Sequence, residues 1–196
     1  THPRKAKERI HLLSRQMFST GRVFHHFHTD GQGEMTRHCD DPLWFILALT
    51  DYIKETGDFS ILDCEEPFVD GKRGNILDHA MATVNFVEEN KGKRGLPVFG
   101  RGDWNDTLDY IGGDDGGESV WGALFYITML NHLIDLLTEI NHEIYLKKVV
   151  LVRDDLIVSV NKNCWDGEWF IRAFGQGDSK VGSASNKSGK IYLNSQ

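Results

Sequence analysis

Cysteine is scarce in this 196-residue chain: Cys39, Cys64 and Cys164 are an odd number at wide spacings. That excludes a disulfide framework and the paired-thiolate spacing of a zinc site, and a reduced, cytoplasmic setting is the simpler expectation. An excess of basic charge is missing too. Lys and Arg total 22 against 29 Asp and Glu, a formal net charge of −7. Nucleic-acid binders carry a basic face, so no nucleic-acid partner is expected. No segment reaches about 18 consecutive apolar residues, and the first residues carry no signal-peptide apolar core, so no membrane partner is expected either. What remains is ordinary globular composition, 40% hydrophobic and 26% charged, at a length that suits one domain or a piece of a larger one.

The apolar pattern predicts helices separated by long irregular connections. Ile10, Leu13 and Met17 recur at helical spacing over residues 4–18. Asp41-Pro42 reads as a helix start, with the carboxylate as cap and proline at N1, and Gly57 as the stop. Between them, residues 43–49 are apolar nearly all round, which predicts burial on most sides. Asn75 caps a further segment running to Asn90. Residues 118–140 form another strongly apolar helix, and 143–162 a helix whose β-branched stretch, residues 149–152, weakens the pattern. The tail from Trp165 is irregular, with a short strand expected at 190–194. No strands alternate with the helices, so a parallel α/β sheet is disfavoured and an all-α chain is expected.

Residues 91–117 make a loop long enough to be functional, and its stretch 99–118, running to the start of the next helix, is the most informative. Asp103, Asp106, Asp109, Asp114, Asp115 and Glu118 gather there with Trp104 and Asn105. A carboxylate beside an indole suits a sugar subsite: the ring covers the apolar face of a pyranose while carboxylates accept from its hydroxyls. A desolvated carboxyl is also prepared to protonate a glycosidic oxygen. A solvated acidic turn is the alternative. A calcium loop is not, because Asp103, Asn105 and Asp106 miss the alternate-position register of an EF-hand. In the stretch Arg37-His38-Cys39-Asp40-Asp41, Arg37 suits a phosphate and Asp40 or Asp41 sugar hydroxyls. His25, His26 and His28 are followed by no HExxH and no cysteine partner, so no metal is expected. The Trp165–Trp169 pair around an acidic turn would line a carbohydrate site or plug the end of a helical core.

With these stretches in view, the chain resembles the inverting disaccharide phosphorylases of glycoside hydrolase family 94. That family holds cellobiose, cellodextrin and chitobiose phosphorylases and the phosphorylase-like domain of cyclic β-1,2-glucan synthases. The matching segments are residues 37–44 (RHCDDPLW), 95–97 (GLP), 102–106 (GDWND), 117–121 (GESVW), 165–172 (WDGEWFIR), 182–183 (GS) and 189–196 (GKIYLNSQ), in the family's order. The resemblance implies part of an (α/α)6 barrel with long active-site loops. The amino-terminal β-sandwich and the remaining barrel helices lie outside these residues, and the full-length parent is a candidate homodimer. An opened toroid would expose the apolar faces of 43–49 and 120–137 and favour association.

The implied reaction is phosphorolysis of a β-linked glucose disaccharide or oligosaccharide, cellobiose-like, to an α-sugar 1-phosphate and a free sugar. It needs no cofactor, inorganic phosphate being the co-substrate. By the same resemblance Asp106 is the general acid, Trp104 lies against the sugar, and Asp41 with Asp40 contacts the non-reducing unit. Asp103 and Glu118 are further sugar-binding candidates, and Arg37 is the best local cation for phosphate. An inverting hydrolase on the same barrel, with water replacing phosphate, is the alternative, as is an inactive piece that only binds sugar or associates.

Overall fold

The computed structural model describes residues 2–28, 31–114 and 116–196. Five α-helices dominate: α1 (Pro3–Ser14), α2 (Leu43–Thr56), α3 (Ile76–Glu89), α4 (Val120–Glu139) and α5 (Glu143–Asn163). Each forms where the apolar period and a terminal signal agree. Asn75 and Asp78 make a reciprocal capping box at the start of α3, and Ser119 accepts from the Gly122 N–H at the start of α4. Gly57 ends α2 in the left-handed conformation at φ 67°. The β-branched residues 149–152 stay helical because Val149 is fully buried and Val152 packs against the core.

Helix α2 packs on α1 and α4, α4 on α5, and α3 touches α1, α2 and α5. The described chain is mostly helical, as expected, although these helices are fewer than a complete barrel requires. The apolar faces of α2 and α4 are not exposed: Leu43, Ile46, Leu49, Val120, Leu130 and Leu137 have no accessible surface. Among the described α-helices the exposed large apolar residues lie instead on α5, at Ile144, Leu151, Ile157 and Val158, and the others lie in the connections and the tail. By length and composition alone α4 is apolar enough to cross a membrane, although polar residues interrupt its apolar run. Half of its most apolar window is buried inside the fold.

Short antiparallel pairs join the helices. Strands β1 (His26–Phe27) and β2 (Gly33–Glu34) form one hairpin, β3 (Glu65–Pro67) and β4 (Arg73–Asn75) another. Strands β5 (Glu118–Ser119), β6 (Ala173–Phe174) and β7 (Lys180–Val181) make a three-stranded sheet in that order. The strand expected at 190–194 is absent; that segment ends in a 3-10 turn, Leu193–Ser195. The tail's pairing falls instead at β6 and β7, where Ala173 and Phe174 are buried against the core.

Candidate active site

Backbone pairing brings the separated sequence motifs side by side. The Cys39 N–H donates to the Gly102 carbonyl, and the Arg101 N–H to the Arg37 carbonyl, both at 3.1 Å. One strip further, the Phe99 and Gly100 N–H groups donate to the carbonyls of Gly117 and Gly116, and the Ser119 N–H to Pro97. Beyond those lie β5, β6 and β7. Gly100 makes the first contact sterically feasible: it sits at φ 63°, and a Cβ there would stand 2.0 Å from the Arg37 carbonyl oxygen. The loop 91–117 is thus clamped on both sides.

The carboxylates on this ladder occupy unlike environments. Asp103 is fully buried, its side chain paired with the equally buried Arg172 guanidinium. It also accepts from the Ser119 hydroxyl at 2.6 Å and the Asn105 N–H at 3.1 Å. Glu118 is buried too, accepting from the Arg94 guanidinium and from the Arg94 and Leu96 N–H groups, so it pins the 92–96 turn. Neither of these two expected sugar ligands is open to solvent. Asp106, by contrast, is exposed and opens the 3-10 turn Asp106–Leu108. Asp40 is 5% exposed and accepts from the Trp44 indole N–H at 2.9 Å. Burial pushes its pKa up to about 6, opposed by the Trp44 hydrogen bond and reinforced by the charges of Asp41 and Asp103.

Asp41 does not cap α2. The helix starts at Leu43 after Pro42 without a side-chain cap, and the Asp41 carboxylate instead meets His25 Nδ1 at 2.9 Å. A tertiary partner has outcompeted the local one. The His25 ring lies stacked on His38, centroids 4.1 Å apart and 11° from parallel. His38 in turn contacts the Thr36 hydroxyl at 2.7 Å, and burial, then the neighbouring His25, lowers its pKa.

Ligand atoms of His25, His38 and Asp41 lie within 4.8 Å of one another, so a metal has to be considered. A ring nitrogen's lone pair lies in the ring plane, and two face-stacked imidazoles share no point in both planes. The arrangement is a hydrogen-bonded stack rather than a metal cradle. His38 and Asp41 also line, with Arg22 and the exposed Arg37, a cavity of about 190 Å³. Two guanidiniums there offset the chain's negative field locally and suit an anion or a polar sugar face.

Trp104 is 63% exposed. Its ring lies 5.5 Å from Trp44, which lies 4.7 Å from Phe125, itself stacked on Trp121 at 5.2 Å. This aromatic row ends at Trp104 and carries the Asp40 hydrogen bond at its second member. The sequence reading singled out Trp104 but not Trp44, Phe125 or Arg172. Trp44 and Arg172 stood inside the quoted motifs, and only the fold shows what they touch. Trp165, 50% exposed, lies edge-on to Phe170, 5.1 Å between centroids, apart from this row.

Residues 1–196 match the Glycosyl hydrolase 94 superfamily, catalytic domain. The chain is similar to the solabiose phosphorylase of Paenibacillus borealis, 32% identical over 99% of this chain and 25% of the relative. It is also similar to a 3-O-beta-D-glucopyranosyl-beta-D-glucuronide phosphorylase of the same organism, 28% identical over 83% of this chain and 21% of the relative. A third relative is the N,N'-diacetylchitobiose phosphorylase of Vibrio furnissii, 29% identical over 80% of this chain and 19% of that protein. The chain spans about a quarter of the length of these curated relatives, or less.

Proposed function

Since the chain belongs to the catalytic domain of the glycosyl hydrolase 94 superfamily, we propose that the protein carrying it is an inverting phosphorylase of a β-linked, cellobiose-like glucoside. The observation that supports this reading best is the backbone ladder. It places the Asp40–Asp41 pair, the Trp104–Trp44 row and the turn opened by Asp106 on neighbouring strips.

In this reading the pyranose lies against Trp104, and Asp40 and Asp41 accept from hydroxyls of the non-reducing unit. A phosphate oxygen attacks the anomeric carbon from the face opposite the leaving group, while the bond to the glycosidic oxygen breaks. Asp106 gives its proton to that oxygen, releasing a free sugar and an α-sugar 1-phosphate. An inverting hydrolase must also hold a second carboxylate to activate water. Phosphate is already an anion, so the site needs no base, only cations and hydrogen-bond donors to hold it in line. Arg37 is the cation proposed from these residues.

The test is to incubate the purified protein with cellobiose and related β-linked disaccharides, with and without inorganic phosphate. The reading requires sugar 1-phosphate that appears only with phosphate. Glucose release independent of phosphate would replace it with the hydrolase.

A further inference from the structure

We propose that Arg172 is a positioning residue for the proton donor, acting through Asp103 on the turn that Asp106 opens. The inference rests on the assignment of Asp106 as the acid and deepens it.

Arg172 and Asp103 form an ion pair in which neither side chain has accessible surface, and no other described ion pair is buried on both sides. Removing two charges from water is expensive, and an apolar pair of similar volume often serves stability as well or better. What the pair adds is direction. The Arg172 backbone is fixed in the ladder, its N–H donating to Val181 and its carbonyl accepting from Val120. Its guanidinium lies over the rings of Phe99 at 5.8 Å and Trp121 at 5.9 Å, with Nε and Nη1 unpartnered and one nitrogen, Nη2, aimed at Asp103.

From Asp103 the constraint passes along the chain. Its Oδ1 accepts from the Asn105 N–H, and its Oδ2 from the Ser119 hydroxyl that also caps α4. The Asn105 side chain accepts from the N–H and hydroxyl of Thr107. Asp106 therefore stands between two residues locked by side-chain hydrogen bonds. Its own carboxylate takes no hydrogen bond from the described residues. The backbone alone aims it, and that backbone is tied to Arg172. The same guanidinium faces Trp121, at the inner end of the aromatic row that Trp104 closes.

The experiment uses the protein that carries this chain. Arg172→Met combined with Asp103→Asn removes both charges without stranding either, and Arg172→Lys keeps the charge but loses the planar fork. Each is assayed with inorganic phosphate on cellobiose and on 2,4-dinitrophenyl β-glucoside, whose leaving group departs without a proton. Loss of acid positioning predicts that kcat on cellobiose falls about tenfold or more with little change in KM, while turnover of the aryl glucoside stays near wild type. A merely structural role lowers both substrates equally and overturns the proposal, as does full activity on cellobiose. If the double exchange does not fold, Arg172→Lys must show the same split in a smaller degree, and failure of both to fold overturns the proposal. If the wild type itself releases no sugar phosphate from either substrate, the phosphorylase reading has failed, and the positioning role falls with it.

Discussion

Replacing Asp40 by Asn tests whether the site is held together at a cost to the fold. Asp40 has 5% of its surface exposed, has Asp41 and Asp103 as charged neighbours, and titrates at about 6 instead of 3.8. A raised carboxyl pKa means that the native state binds the proton more tightly than the unfolded chain. Stability is then greatest below the unfolded value and declines as pH rises through the window from about 4 to about 6. A shift of about 2 units at 1.36 kcal/mol each makes ionisation of Asp40 cost about 3 kcal/mol at pH 7.5.

Asn mimics the neutral form and keeps an oxygen to accept from the Trp44 indole. Urea unfolding should therefore show Asp40→Asn more stable than wild type by about 3 kcal/mol at pH 7.5, and by less than about 1 kcal/mol at pH 4. Sugar affinity should fall at the same time, because a hydrogen bond to a charged acceptor is lost, worth about 1.5–3 kcal/mol. A gain of equal size at both pH values, or a destabilised variant at pH 7.5, would refute the argument that burial of the charge is the cost.

Three further outcomes are expected. Asp106→Asn should lower phosphorolysis about 10²–10⁴-fold while calorimetry still detects sugar binding, and undiminished turnover would place the acid elsewhere. Trp104→Ala should weaken sugar binding by about 1 kcal/mol, and wild-type indole fluorescence should change on adding sugar; an unaltered titration would separate Trp104 from the subsite. Gly100→Ala should destabilise the protein by more than about 1 kcal/mol, since φ 63° and the Arg37 carbonyl both oppose a side chain; wild-type denaturation would show that the strips are not paired as described.

The helices were legible because their signals are local. Asn75 with Asp78, Gly57, and the apolar stripes of α3 and α4 need only neighbours within a turn or two. The ladder beneath the site was not, because strands of two residues carry no alternation and are specified by partners far along the chain. Asp41 shows the same limit in one residue: its spacing before α2 satisfies every rule for a cap, and His25, sixteen positions earlier, takes its carboxylate instead.

The sharper lesson lies within a single motif. Composition presents Asp103 and Asp106 as equivalent carboxylates flanking Trp104, and only the resemblance to a known family ranked one above the other. The fold puts the two in unlike surroundings. Asp103 is sealed against Arg172, Ser119 and the Asn105 N–H, with no side-chain surface open to solvent. Asp106, three residues on, is left exposed at the start of its turn, its carboxylate taking no hydrogen bond from the described residues. In the proposed reading, the aspartate held in structure is what leaves the other both free and aimed.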